Sequence, residues 1–239
     1  MRTPPLRTAR PRQRMRADFP VSSVYQAPIW FFLARRQRLA YLLVPKVAST
    51  SLRAALCLLN HPELPREQVL DPDLLQKNKA WNDMAPAATA DLRGLFRFTF
   101  VRDPYARFLS FHRNKIADAT PATLRPRFAK LGLAAGLSLA DTLDRVEAIA
   151  PGQLDAHIVP QSLLIYSGGK PRVDFIGHIE QFDADLARVE EQAGVKLDIR
   201  QLNATAAPPR DPRETLDPAI RARLARLYAD DLANFGYAP

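Results

Sequence analysis

The chain has 239 residues, of which 47% are hydrophobic and 25% are charged, and its formal net charge is +9. These values are typical of one globular domain, argue against wholesale disorder, and leave little room for two catalytic domains. Twenty-one prolines against nine glycines indicate rigid connections rather than flexible hinges.

The first 20 residues predict a basic, disordered leader, followed by a single domain at residues 21–239. Six of the first 16 residues are arginine, and no acidic residue precedes Asp18. Most of the positive excess therefore lies in the leader, and the mildly basic remainder argues against a dedicated nucleic-acid binder. The alternative for the leader is weak contact with an anionic polymer or a membrane surface.

The sequence predicts a cytoplasmic protein without a transmembrane segment. Cys57 is the only cysteine, so no internal disulfide can form, which favours a reducing compartment. The arginine-rich start does not resemble a signal peptide. The most apolar early stretch, Ala27 to Leu33, is far shorter than the roughly 20 residues that cross a bilayer.

Two strand–turn–helix units dominate the pattern after the leader. Ala40 to Pro45 is a continuous apolar run typical of a buried strand, and Thr50 to Asn60 follows with helical spacing of leucines behind a capping Ser/Thr cluster. Leu95 to Val101 is a second strand, followed by a helix from about Tyr105 to Ile116. Alternating strands and helices predict an α/β fold with three layers, α/β/α, and a central parallel sheet whose ligand lies at the carboxyl ends of the strands.

The remaining elements are less strongly marked. His61 to Ala90 is predicted to be mostly loop with one short helix, a substrate-facing insertion. Further predictions are a helix from Ser138 to about Ala150, a strand at Val173 to Gly177, a helix from about Asp183 to Ala193, a loop at Asn203 to Arg213, and a last helix from Asp217 and Pro218 to about Asn234.

The turn between the first strand and helix carries the chemistry of an anion site. Val44 to Ser51 reads VPKVASTS, which places Lys46 and three hydroxyls where backbone N–H groups and the positive end of the helix dipole converge. No glycine lies between Leu39 and Asn60, so the glycine-rich loop of nucleotide triphosphatases is missing. The alternative is an ordinary capped helix with a surface lysine.

The second unit carries an arginine and a hydroxyl at a matching position. Arg102 ends the strand, and Ser110 follows eight residues later, two turns along the helix. An arginine fork and a hydroxyl held in this way can bind a second phosphate. The alternative interpretation is an ion pair between Arg102 and Asp103 at the strand end.

Together, the two segments resemble the 5'-phosphosulfate and 3'-phosphate signatures of sulfotransferases that use 3'-phosphoadenosine 5'-phosphosulfate (PAPS). PKVASTS is especially similar to the family 2 carbohydrate sulfotransferases, which include the chondroitin and HNK-1 enzymes. Further stretches, DAHIVPQ, DFIGHIE and LYADDLANFGY, also resemble the family, so the likeness spans about residues 40–237. The resemblance implies the P-loop-nucleotide-kinase-like sulfotransferase fold and assigns the sulfated 5' end to Lys46, Val47, Ala48, Ser49, Thr50 and Ser51. It assigns the 3'-phosphate to Arg102 and Ser110.

The resemblance also implies PAPS as cosubstrate and in-line sulfuryl transfer to a hydroxyl or amine, on a carbohydrate or glycoconjugate, with no metal required. Lys46 is expected to stabilise charge on the leaving oxygen. His157, which Asp155 can orient, is the candidate general base, and a buried structural histidine is the alternative. His61 and Asp83 lie where some relatives carry their base, but their spacing does not single them out.

Departures from the family limit what it implies. Animal relatives carry a membrane anchor and disulfides, whereas this chain shows neither, so a bacterial relative is the better match and the acceptors of those enzymes do not transfer. Two rival functions stay open: a magnesium/ATP-dependent kinase, and a non-catalytic nucleotide- or glycan-binding module of the same fold.

Overall fold

The computed structural model describes residues 25, 27–199 and 211–239. The predicted leader and most of the predicted loop at Asn203 to Arg213 therefore lie outside the described residues. Of the helices in the described ranges, none combines the length and the apolar composition that crossing a bilayer would require.

A five-stranded sheet forms the centre of the fold, with the strand order β3-β1-β2-β4-β7. Two short strands, β5 and β6, form a separate antiparallel pair. The strands are β1 (Trp30–Ala34), β2 (Leu39–Leu42), β3 (Met84–Pro86), β4 (Phe96–Val101), β5 (Tyr166–Ser167), β6 (Lys170–Pro171) and β7 (Phe175–His178).

The predicted α/β class is confirmed, but the sheet is mixed rather than wholly parallel. Strands β2, β4 and β7 run parallel, whereas β1 is antiparallel to both β2 and β3. The cause is the short connection Arg35 to Arg38, because a parallel pair needs a crossover of a dozen or more residues. Arg38, at φ 56°, closes this turn with its N–H on the Arg35 carbonyl at 3.0 Å.

Eleven α-helices flank the sheet within the described ranges. They are α1 (Ser49–Asn60), α2 (Arg66–Val69), α3 (Pro72–Lys77), α4 (Pro104–His112), α5 (Pro126–Lys130), α6 (Leu139–Glu147), α7 (Gln161–Ile165), α8 (Phe182–Ala193), α9 (Pro212–Thr215), α10 (Pro218–Leu227) and α11 (Ala229–Phe235). The predicted insertion at His61 to Ala90 thus contains α2, α3 and the edge strand β3, more structure than its weak periodicity indicates.

Helix ends show where local signals succeed and fail. Ser138 caps α6 as predicted, its hydroxyl accepting from the Asp141 N–H at 3.1 Å. The expected Ser/Thr cap of α1 is wrong: the N-cap is Ala48, whose side chain offers no acceptor. The predicted last helix is two helices, because the backbone leaves helical geometry at Tyr228, whose buried phenol donates to the Ile158 carbonyl at 2.6 Å.

The core is densest where the parallel strands meet. All four residues of β2 and the last four of β4 are buried. Gly177 in β7 shows how closely the layers approach, because a Cβ there would lie 2.6 Å from the Phe100 ring and 3.1 Å from Asp185 Cβ in α8. This packing fixes the edge at which β2 and β4 end.

Candidate active site

The two predicted anion-binding segments meet at the carboxyl edge of the sheet. Strands β2 and β4 are adjacent and parallel, so the turns that follow them share one edge. The guanidinium of Arg102 reaches across, its Nη1 donating to the Lys46 carbonyl at 3.4 Å. Two residues 56 positions apart in the chain therefore lie in direct contact.

The turn after β2 has an unusual backbone. Lys46 and Ala48 have φ values of 73° and 55°, in the left-handed region that residues with a Cβ rarely adopt. Each such residue costs on the order of 1–3 kcal/mol, and strain of this kind concentrates at functional sites. Alternating conformations of this type turn successive N–H groups toward one concavity, a nest that binds anions.

The charge on Lys46 is surrounded by other cations. Burial, as the largest cause, and the neighbouring charges of Lys115, Arg102, Arg113 and Arg107 together lower the pKa of Lys46 to about 8. Within the described residues, the Lys46 ammonium has no carboxylate partner within 4.0 Å. A cluster of cations without a counter-ion favours an anion site over the alternative of a solvated surface lysine.

The hydroxyls of this turn differ in exposure. Ser49 and Thr50 are half-buried, and their hydroxyls form no hydrogen bond with another described residue. Ser51 is 5% exposed, so it lies deeper in α1. Val47 is buried and Ala48 is exposed, which leaves their backbone groups as the means by which these two residues can contact an anion.

Three side chains from distant segments hold the turn after β4. Gln161 brackets the main chain of Arg102, accepting from its N–H at 3.1 Å and donating to its carbonyl at 2.8 Å. Glu180 accepts from the Asp103 N–H at 2.8 Å, and Arg213 donates to the Asp103 carboxylate at 2.6 Å. The turn is therefore held by three segments that are distant in the chain, two of which, those of Gln161 and Glu180, belong to the stretches that resemble the family.

The alternative of an Arg102–Asp103 ion pair does not hold. Asp103 is engaged by Arg213 and caps α4 by accepting from the Ala106 N–H at 3.0 Å. Arg102 forms no ion pair with a described residue. Ser110 lies half-buried two turns along α4, and its hydroxyl likewise has no partner among the described side chains. Both predicted 3'-phosphate residues are thus available to a ligand.

His157 is half-buried between the buried Asp155 and the exposed Arg127. Its Nδ1 is 2.6 Å from Asp155 Oδ1, and Arg127 Nη2 lies 3.0 Å from the same nitrogen. The 2.6 Å contact with the carboxylate favours a proton on Nδ1, which leaves the lone pair of the neutral ring on Nε2. In this tautomer Arg127, which can only donate, does not hydrogen-bond to Nδ1 and is held instead by its ion pair with Asp155 Oδ2 at 2.9 Å. Burial lowers the pKa of His157 to about 4, against the raising effect of Asp155, so the ring is neutral at pH 7.

The second histidine considered from sequence lies elsewhere. His61 follows the last residue of α1, and its Nε2 is 3.1 Å from Asp83 Oδ2. A helix of 12 residues is about 18 Å long, so this pair lies at the opposite end of α1 from Lys46. The structure does not bring it to the candidate site.

Sequence reasoning missed two buried charges behind the site. Arg107 is 1% exposed and donates to three main-chain carbonyls. Asp231 is fully buried and accepts from the Gln161 and Ser162 N–H groups, each at 2.7 Å. For Arg107 the sequence offers one signal, its position on the apolar face of α4, beside Phe108 and four residues before Phe111. A cation at such a position is buried and needs hydrogen-bond partners.

Two other features lie away from this edge. An apolar cavity of about 280 Å³ is lined by Val146, Leu154, Pro160 and Leu163, among others, and by none of the predicted phosphate residues. Within residues 25, 27–199 and 211–239, no group of three or more His, Cys, Asp and Glu side chains is arranged to hold a metal ion.

The α/β fold and the cations at the carboxyl edge of its sheet suit an anionic ligand held between two strand–turn–helix units. The chain belongs to the sulfotransferase family: the model for "Sulfotransferase family" matches residues 30–238, and family 2 is the branch that the sequence resemblance indicated. The protein is thus a transferase of sulfuryl groups, which implies a nucleotide sulfate donor and an acceptor. Searches of curated proteins and of solved structures returned no match.

Proposed function

We propose that this protein transfers the sulfuryl group of PAPS to a hydroxyl or amine of a carbohydrate or glycoconjugate. One observation carries the proposal: Lys46 and Arg102, from two different strand ends, are in contact and neither has a carboxylate partner among the described residues. A ligand with two separated anionic groups suits such a pair, and PAPS has a phosphosulfate at one end and a phosphate at the other.

The residues fit the two ends of the donor. The left-handed turn, Lys46, Val47, Ala48 and the hydroxyls of Ser49, Thr50 and Ser51 would hold the 5'-phosphosulfate with backbone N–H groups and one ammonium. The guanidinium of Arg102 and the hydroxyl of Ser110 would hold the 3'-phosphate. The two sets of residues follow different strands, β2 and β4, which are adjacent and parallel, and this placement supports the division.

In the proposed step, the acceptor oxygen forms a new bond to sulfur as the bond from sulfur to the bridging phosphate oxygen breaks. The bridging oxygen keeps the electron pair and becomes a phosphate oxygen of the leaving nucleotide. Lys46 donates a hydrogen bond where this negative charge grows, and such an interaction is strongest in the transition state. The surrounding cations add to the same field.

His157 is the proposed acceptor of the proton that the hydroxyl loses. Asp155 holds Nδ1–H, which leaves Nε2 free to accept a proton. The pKa of about 4 makes the ring fully available as a base at neutral pH but a weak one. His157→Gln should therefore lower kcat and flatten the acid limb of its pH profile, and an unchanged profile would return His157 to a structural role.

The cellular setting is part of the proposal. We propose that the enzyme acts in the cytoplasm, because its single cysteine is typical of proteins from a reducing compartment. A cytoplasmic acceptor would be a glycoconjugate precursor rather than a finished extracellular glycan.

The test is a ligand comparison followed by a turnover assay. A thermal-shift titration should show stabilisation by the desulfated nucleotide PAP, because a ligand at 100 times its Kd adds about 2.7 kcal/mol to the folded state. Stabilisation by ATP with magnesium and none by PAP would instead indicate a kinase. Incubation with sulfur-labelled PAPS and fractionated glycans, lipids and metabolites should then label an acceptor, whereas PAP binding without any labelling would indicate a non-catalytic module.

A further inference from the structure

Arg107 connects two parts of the candidate site through the main chain. Its Nε donates to the Pro45 carbonyl at 3.2 Å, its Nη1 to the Val159 carbonyl at 2.9 Å and its Nη2 to the Ala156 carbonyl at 2.7 Å. Pro45 immediately precedes Lys46, and Ala156 immediately precedes His157. One guanidinium therefore bridges the backbone next to each of the two proposed catalytic side chains.

These contacts fix the direction of the neighbouring N–H groups. In a trans peptide the C=O and the following N–H point in opposite directions. With the Ala156 carbonyl turned to Arg107, the His157 N–H points away, and it donates to Asp155 Oδ1 at 2.9 Å. By the same geometry, the Lys46 N–H points away from Arg107, at the start of the left-handed turn.

The free energy needed to bury the charge of Arg107 indicates that this residue has a role beyond packing. An arginine remains charged in proteins, and burying a cation without a carboxylate is unfavourable even when carbonyls satisfy its donors. Arg107 forms no ion pair within the described part of the chain and is the largest of the fully buried side chains there. A leucine would fill such a core position more favourably if packing were its only role.

The partner segment is held from a second side as well. The carbonyl of Ile158, between two carbonyls that Arg107 binds, accepts from the Tyr228 phenol at 2.6 Å. Asp155, His157 and the bound carbonyls thus form one rigid turn, and Arg107 links this turn to the loop after β2. No other described side chain donates to main-chain carbonyls in both segments.

We propose that Arg107 is a positioning residue that couples the phosphate-binding loop to the His157 segment by clamping carbonyls of both. The coupling would keep the group that stabilises the leaving oxygen aligned with the group that accepts the proton. The catalytic part of this inference rests on the proposed function, whereas the coupling itself does not.

Hydrogen exchange of the full chain tests the coupling without any ligand. In Arg107→Lys and Arg107→Met, amides at residues 46–49 and 156–159 should both exchange at least about tenfold faster, the factor that corresponds to one lost hydrogen bond. Phe111→Leu is the control, because Phe111 is fully buried on the same helix, cannot hydrogen-bond to a carbonyl, and packs against the rings of Phe108 and Phe128. Faster exchange confined to α4, or the same pattern in Phe111→Leu, would overturn the proposal.

Kinetics supplies the second readout. Arg107→Lys keeps the charge but not the planar fork, so kcat should fall about 100-fold through misalignment, while KM for PAPS changes less than about threefold. Full activity in Arg107→Lys would show that only the charge matters and would overturn a positioning role. PAP binding to the wild type is measured alongside: if it is absent, the proposed function fails, and hydrogen exchange alone decides the coupling.

Discussion

The turn after β2 and the turn after β4 serve the same edge of the sheet but are built in opposite ways. The first has an unusual backbone, with Lys46 and Ala48 in left-handed conformations, and distant arginines contact it through the Pro45 and Lys46 carbonyls. The second is shaped from outside, by Gln161, Glu180 and Arg213. The comparison shows two ways to keep a cation without a carboxylate partner. At Lys46 the backbone of the turn adopts a strained conformation. At Arg102 distant side chains form hydrogen bonds with the neighbouring main chain and with Asp103.

The largest effect should come from the strained turn. Lys46→Ala should lower kcat by about 100-fold or more while the fold survives, because the lost group acts on charge that appears in the transition state. Single-turnover kinetics with a defined acceptor and circular dichroism measure the two quantities. Lys77→Ala, an exposed lysine at the end of α3, is the control and should keep its turnover. A folded Lys46→Ala variant with wild-type turnover would remove Lys46 from the mechanism.

Arg102→Ala tests the turn after β4. It should weaken PAP binding by about 1.5–3 kcal/mol, the value of a charge-assisted hydrogen bond, and leave the affinity for adenosine 5'-phosphosulfate nearly unchanged. Arg97→Ala serves as control, because Arg97 pairs with Asp174 at the opposite end of the same strand. Equal losses for both nucleotides in calorimetry would contradict the division of the donor between the two turns.

Asp231 stabilises the turn after β4 indirectly, through Gln161, and it can be changed without altering a residue that is proposed to bind the nucleotide. Asp231→Asn replaces one of two acceptor oxygens by a donor, so a buried N–H of α7 loses its partner. The free energy of unfolding in urea should fall by about 1–3 kcal/mol, and PAP affinity should fall more than that for adenosine 5'-phosphosulfate. Asp183→Asn, exposed at the start of α8, should change stability by less than about 1 kcal/mol. Equal destabilisation by both variants would mean that Asp231 does not support the turn.

The pKa of Lys46 predicts a pH dependence with two opposite signs. PAP binds the protonated lysine, so affinity should fall by up to about tenfold per pH unit as pH rises through about 8. The free protein should gain stability over the same range, up to the ordinary lysine pKa, because there the unfolded state binds more protons. Both trends should be missing in Lys46→Met, and their persistence in that variant would assign them to another group.

Ser110→Ala should have the smallest effect, about 0.5–1.5 kcal/mol in PAP affinity, since it removes one hydrogen bond from a neutral donor. Ser138→Ala is the matched control, for which we expect a loss of stability and no loss of PAP affinity. It removes the cap of α6 and should lower stability by about 1 kcal/mol without changing affinity. A loss of PAP affinity in both variants would indicate a general effect of instability.

The parts of the fold that were predictable have local signals. The buried runs of β2 and β4 and the leucine spacing of α1 identified both strand–turn–helix units within a few residues. Strand β1 was not predicted, because its apolar run does not alternate; its pairing with β3 has no local signal either, since β3 lies about 50 residues further along the chain. The break at Tyr228 has no proline or glycine to mark it, and the contact observed there is with Ile158, 70 residues away.

The candidate site was predictable for the same reason and to the same extent. Lys46, Arg102 and Ser110 stand directly after strands or on a helix, so their shared edge follows from topology. Arg107 and Asp231 act on main-chain atoms separated from them by 49 or more residues. Contacts between distant residues produce no periodic pattern in the sequence. The only signal for them is a charged residue at a position where the helix pattern predicts an apolar one.

The left-handed conformation of Ala48 has a consequence for how binding ability arises during folding. A peptide with a methyl group at this position has no intrinsic preference for the turn, since other backbone conformations are lower in energy. The turn exists only while β2 and α1 are both docked around it. The proposed anion binding at this turn therefore requires the assembled domain, and it should be lost in a partly folded state and in the isolated segment.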